Sequence, residues 1–139
     1  MIPPGATLGL MGGGQLGRMF TQAAQRMGYE VVVLDPDPVS PAGRIAARHL
    51  QASYTDRQAL TTLGSLAQVV TIEFENVPAE ALAFLRHRCP VRPGPEAVEA
   101  ARILKRRLAS VDRGDPGVPA RTVLSDVRKR LGVPRKRPS

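Results

Sequence analysis

The sequence predicts an α/β fold: a Rossmann-like open parallel sheet with flanking helices, followed by a poorly ordered basic tail. Three observations predict it. Short apolar runs alternate with stretches of helical periodicity over residues 6–101. The first such run, "ATLGLM" (6–11), enters the glycine-dense turn "GGGQLG" (12–17). The charge is also uneven. Residues 1–98 hold eight Arg, no Lys and eight Asp plus Glu, whereas residues 99–139 hold twelve Lys plus Arg against four acids, so the whole net charge of +8 sits at the end of the chain. A neutral body and a basic tail need separate explanations.

Each element follows in order. "ATLGLM" is short and apolar, a strand. Residues 15–27 place Leu16, Met19, Phe20, Ala23, Ala24 and Met27 at i, i+3, i+4, i+7, i+8 and i+11, which predicts one buried helix face. Gly28 follows as a C-cap. "EVVVLD" (30–35) is a β-branched strand stopped by Asp35-Pro36-Asp37-Pro38. A Pro- and Ala-rich loop carries a short helix near 41–47, and "HLQAS" (49–53) is a brief strand. Asp56 caps a helix over 57–66, "AQVVTIE" (67–73) is a strand, and Pro78 sits in the first turn of a helix ending at Leu85. "CPVRP" (89–93) reads as a last short strand before a helix opening at "GPEAVEAAR". Strand–helix alternation at this spacing gives parallel strands joined by right-handed crossovers.

The totals exclude several classes. A chain of 139 residues holds one domain, residues 1–101, with a tail over 102–139. No run of 18 or more apolar residues is present, and the N-terminus lacks the basic flank and long apolar core of a signal peptide. A single cysteine, Cys89, excludes an internal disulfide and a cysteine zinc cluster. His49 and His87 are too scattered for a metal site and read as ordinary surface or satisfied histidines. The expectation is a protein of the reducing cytoplasm that holds no metal and meets no membrane.

In open α/β sheets ligands bind beyond the C-terminal strand ends. Three features fall there: the loop 12–18, Asp35 with Asp37, and "EFENV" (73–77). Gly12, Gly13, Gly14 and Gly17 match G-x-G-x-x-G, where glycine permits positive φ and close backbone approach, and the helix N-terminus attracts an anion. Asp35, 18 residues after Gly17, stands near where a nicotinamide-dinucleotide site places its ribose acid. Three readings stay open on this evidence: a dinucleotide, a phosphate-bearing small substrate, and a purely structural turn. Glu73, Glu75 and Asn76 crowd a strand end. Alternation puts Glu73 and Glu75 on one side and Phe74 opposite, so that the carboxylates accept bonds from a ligand's amino or hydroxyl groups; a solvated Asn-Val-Pro turn explains them equally well. No Ser–His–Asp or Cys–His set accompanies them, no G-x-x-x-x-G-K-[ST] pattern occurs, and the body has no Lys with which to hold ATP.

Taken together, "LMGGGQLGRM", "VVVLDPDPVSPAG", "VVTIEFENVPAEAL" and the closing "VRPGPEAVEAA" resemble the start of the N5-carboxyaminoimidazole ribonucleotide synthetases, ATP-grasp ligases of purine biosynthesis. The resemblance covers about residues 6–101 and implies a pre-ATP-grasp domain. It implies that the full-length enzyme, with ATP and Mg2+, joins bicarbonate to aminoimidazole ribonucleotide, with carboxyphosphate as intermediate. It implies that Gln15 and Leu16 meet the substrate from the glycine loop and that Glu73 contacts its polar groups. Gly12, Gly13, Gly14 and Gly17 then support the loop. Asp35, Glu75 and Asn76 stand behind the substrate contacts, and Asp35 loses its ribose role. Family members are commonly homodimers. Their ATP and magnesium ligands belong to later domains, so this chain is expected to be an N-terminal fragment, inactive alone and a weak substrate binder.

Past "AVEAA" the resemblance stops. The family continues with a Q-D/N-R…E-K-x-F-L type segment, whereas this chain reads "ARILKRRLASVDRGDPGV", so Arg102 inherits no ATP-binding role. The Arg-, Gly- and Pro-rich composition of 102–139 is that of a slipped frame in a GC-rich gene. The rivals are a plain disordered appendage and a nucleic-acid-binding one, since "RKRLGVPRKRP" (128–138) could neutralise phosphates. A short helix over 125–131 and poor order beyond about residue 110 are expected.

Overall fold

The computed structural model describes residues 1–74 and 76–113, with the isolated positions Thr122, Ser125 and Lys129. The order is β1 (Thr7–Met11), α1 (Gln15–Arg26), β2 (Glu30–Leu34), β3 (Arg48–Leu50), α2 (Arg57–Leu66), β4 (Val69–Ile72), α3 (Ala79–Arg86) and α4 (Pro95–Asp112). The four strands form one parallel sheet in the order β3-β2-β1-β4. The chain divides into two units, Met1–Pro95 and Glu96–Ser139. The predicted alternation is therefore the observed architecture of the first unit.

Side-chain alternation divides the sheet into two apolar faces. Leu10, Val31 and Val33 pack with Ala24 of α1 and with Ala42. On the opposite face Leu63 of α2 closes on Gly9, where a Cβ would lie 3.1 Å from Leu63 Cδ1 and 2.8 Å from Val70 Cγ2. Leu60, Leu63, Leu82 and Leu85, from α2 and α3, are buried to 2% exposure or less. Burying such side chains supplies about 1.5–3 kcal/mol each. The strands thus run between helices, and their C-terminal ends are left to loops.

Local signals explain most boundaries. Asp56 caps α2 by accepting the Ala59 N–H at 2.8 Å. Gly28, at φ +84°, follows the α1 C-cap Met27 and donates to the Gln25 carbonyl, ending the helix as expected. Pro78 is one position earlier than predicted: it is the N-cap of α3, and its carbonyl accepts the N–H groups of Ala81 and Leu82.

Three expectations need correction. The stretch 89–93 makes only a parallel bridge between Val91 and Val70, because the two prolines flanking "VR" leave few N–H groups for a ladder. Residues 41–47 form a chain of turns in which Ala42 accepts from Ile45 and Ala46. The buried face of α1 is also rotated from the predicted one. It consists of Gly17, Thr21 and Ala24, with Phe20 partly buried, while Ala23 is exposed and Leu16, Met19 and Met27 are 65%, 64% and 60% exposed. The reason is close approach. A Cβ on Gly17 would stand 2.8 Å from the Gly12 carbonyl oxygen and 3.1 Å from Leu10 Cδ2, so the helix rests on its smallest residues. Thr21 can be buried there because its hydroxyl donates to the Gly17 carbonyl at 2.8 Å.

In the second unit, α4 carries a Glu99–Arg102 pair at 3.7 Å and runs across the change of composition at 101/102. The expected helix at 125–131 and the order of the tail lie outside the described residues, those three positions apart. Among the described residues no helix is long and apolar enough to cross a membrane.

Candidate functional site

The loop between β1 and α1 is where the structure answers what the glycines are close to. Gly12 alone of the four has positive φ, +100°, which turns the chain out of β1. Its N–H donates to the Leu34 carbonyl at 3.0 Å. The next two amides do not face an open anion cradle. Gly13 N–H donates to Asp35 Oδ2 at 2.6 Å, and Gly14 N–H donates to Glu73 Oε2 at 2.8 Å. A Cβ on Gly14 would lie 2.6 Å from Glu73 Oε1, and one on Gly13 would lie 2.6 Å from Ser40 Oγ. The backbone is brought close to the protein's own carboxylates.

Asp35 is held by the protein's own groups. It is 8% exposed; Oδ2 accepts from Gly13 and from the Tyr54 hydroxyl (2.8 Å), and Oδ1 accepts the Asp37 N–H (2.8 Å). Asp35 and the Gly13 and Gly14 amides, on which the dinucleotide alternative leaned, are thus paired within the protein. Charged hydrogen bonds of this kind contribute about 1.5–3 kcal/mol each, so the arrangement is a stable one.

Glu73 follows β4 directly and is half-buried. Its N–H donates to the Met11 carbonyl at 2.9 Å, and among the described residues its only side-chain hydrogen bond is through Oε2, which leaves Oε1 beside the loop as an acceptor. Leu16, Gly17 and Glu73, with Leu10, Phe20 and Ile72, line a shallow cavity of about 180 Å³ between α1 and the end of β4. Gln15, exposed at the start of α1, sits next to Gly14. Leu16 and Glu73 thus line one cavity from two distant stretches, with Gln15 beside Leu16 in the chain. Asn76 is exposed in the turn that follows, and Glu75 lies outside the described residues.

The opposition expected between Glu73 and Phe74 does not hold, and the part of that alternation that falls on Glu75 lies outside the described residues. β4 ends at Ile72, and both Glu73 and Phe74 turn toward Gly12, where a Cβ would lie 2.9 Å from Glu73 Oε2 and 2.8 Å from Phe74 Cδ1. Tyr54, absent from the sequence-level site, joins the same cluster through Asp35 and through Phe74, with ring centroids 5.3 Å apart at 57°. Burial raises its phenol above the ordinary tyrosine range, assisted by the bond to Asp35 and by the charges of Asp35 and Glu73. The one signal for it was an aromatic residue in the polar loop "QASYTD" (51–56). Among the described residues no group of three or more His, Cys, Asp or Glu is arranged to hold a metal ion.

The comparisons with known proteins bear on this geometry. A family model, the ribonucleotide synthetase preATP-grasp domain, matches residues 5–102. The chain belongs to that family. The N5-carboxyaminoimidazole ribonucleotide synthase of Brucella melitensis is 46% identical over 98 residues, covering 70% of this chain and 27% of that enzyme. The crystal structure of the Staphylococcus aureus N5-carboxyaminoimidazole synthetase complexed with ADP superposes with a TM-score of 0.67 at 45% identity, over 70% of this chain and 26% of that one. The Aspergillus clavatus N5-carboxyaminoimidazole synthase, in complex with ADP and 5-aminoimidazole ribonucleotide, gives a TM-score of 0.66 at 30% identity, over 93% and 37%. The chain thus spans about a quarter of the length of the curated relatives it matches. Within this pre-ATP-grasp domain the glycine loop, Glu73 and Asp35 form the C-terminal edge of the sheet.

Proposed function

We propose that this chain is the aminoimidazole-ribonucleotide-binding part of an N5-carboxyaminoimidazole ribonucleotide synthetase, which carboxylates that nucleotide with bicarbonate and ATP in purine biosynthesis. The observation that carries the reading is the pair of carboxylates on consecutive glycine-loop amides, in a domain of the ribonucleotide synthetase family. Such an edge attracts hydrogen-bond donors, and the ribonucleotide's own phosphate belongs in this proposal to other parts of the longer enzyme. An aminoimidazole ribonucleotide offers an amino group and ribose hydroxyls. In this reading Glu73 Oε1 accepts from one of them, Leu16 covers the apolar side of the base, and Gln15 adds a polar contact. Asp35 and the glycines hold the loop in place, and Glu75 and Asn76 support the turn.

The relatives crystallised with ADP or ATP support a nucleotide requirement in the family. Those ligands, with Mg2+, belong in this proposal to the full-length enzyme. The 139-residue chain is a fragment that binds the ribonucleotide weakly and does not hydrolyse ATP by itself. The cytoplasm, with its purine precursors, is the compartment the proposal requires, and homodimerisation belongs to the longer enzyme.

Equilibrium dialysis of aminoimidazole ribonucleotide against the purified chain tests the reading. Saturable binding is expected, weakened about tenfold or more by Glu73→Gln, the scale of a hydrogen bond to a charged acceptor. Equal binding by the variant removes Glu73 from the site. Ribonucleotide-dependent ATP hydrolysis by the chain alone contradicts the fragment reading.

A further inference from the structure

Tyr54 lies between β3 and α2, outside the glycine loop and outside the 73–77 turn, yet it touches the machinery of both. Its hydroxyl donates to Asp35 Oδ2 at 2.8 Å, the same oxygen that receives the Gly13 N–H at 2.6 Å. Its ring meets Phe74 at 5.3 Å between centroids. Phe74 in turn closes over Gly12, and its neighbour Glu73 receives the Gly14 N–H at 2.8 Å. The contacts close a circuit: Tyr54, Asp35, Gly13, Gly14, Glu73, Phe74 and back to Tyr54.

We propose that Tyr54 is a positioning residue for the ribonucleotide site, fixing the glycine loop against the 73–74 turn from behind. The proposal rests on the function proposed above. Asp35 already receives one backbone N–H on each oxygen, from Gly13 and Asp37, so the phenol is not needed to satisfy a buried carboxylate. It adds direction. The hydroxyl ties Asp35 to the loop carrying Tyr54, and the ring sets Phe74, so that Glu73 and Gly14 meet in one geometry. An acceptor held this way is organised before the ligand arrives, which lowers the ordering cost of binding.

Two arms test this on the full 139-residue chain. Tyr54→Phe removes only the hydroxyl, and Phe74→Leu removes the ring contact together with the aromatic packing over Gly12. The first arm needs no ligand: amide NMR is expected to show shifted Gly13 and Gly14 resonances in Tyr54→Phe, with faster exchange at Gly13, while distant α2 and α3 amides stay in place. The second arm is a double-mutant cycle on aminoimidazole ribonucleotide affinity. Tyr54→Phe is expected to weaken binding about fivefold, and the double variant with Asp35→Asn to bind within about twofold of Asp35→Asn alone. A purely structural tyrosine would lower the melting temperature but leave affinity unchanged or additive with Asp35→Asn, which overturns the proposal. Unmoved Gly13 and Gly14 amides in both variants also overturn it. If the wild-type chain binds no ribonucleotide, the functional reading fails, and the amide shifts still decide whether Tyr54 positions the loop.

Discussion

Asp35 shows how one residue type changes meaning with its partners. At its distance from the glycines it could be a ribose ligand, but its three bonds face inward. Asp35→Ala strands the Gly13 N–H and the Tyr54 hydroxyl, so a loss of about 2–3 kcal/mol is expected in urea unfolding. Tyr54 gives a second expectation, with a definite sign. Its phenol is raised on folding, so the folded state favours the neutral form. That stability is fully present below the unfolded tyrosine pKa of about 10 and is lost as pH rises through the folded value. Thermal melts from pH 9 upward should therefore show a fall that is smaller in Tyr54→Phe. The sequence could not show either point. Hydrogen-bond partners 19 or 22 positions apart are set by tertiary packing.

At the scale of elements, the four sheet strands, the α2 cap and the glycine turn were legible, because β-branched runs, Asp56 and Gly28 act locally, whereas 89–93 makes only a bridge. The face of α1 was not. Periodicity marked Leu16, Met19 and Met27 as buried, whereas the close contact of Gly17 with Gly12 and Leu10 turns them outward. A stripe of small residues carries little hydropathy signal, yet it decides how near a helix can come. Ala24→Leu is expected to cost about 1–3 kcal/mol by overpacking at a position 1% exposed. Met19→Gln, at 64% exposure, should change stability by less than about 0.5 kcal/mol. Chemical denaturation of the two variants checks both, and equal effects would restore the predicted face.

Across the whole molecule, the family was legible because "GQLGRM" and "EFENVP" co-occur at fixed spacing, and the edge where they meet is where they fold together. What the motifs left open was the sense of the loop. A glycine fingerprint implies an anion cradle only while its amides point outward, and here two of them are spent on Asp35 and Glu73. The α/β body therefore presents carboxylate acceptors at the C-terminal ends of its strands. Isothermal titration of the chain with aminoimidazole ribonucleotide, and in parallel with NADH, tests this most directly. Saturable heat with the ribonucleotide and none with NADH is the predicted result. Saturable micromolar NADH binding, with no response to the ribonucleotide, would contradict it.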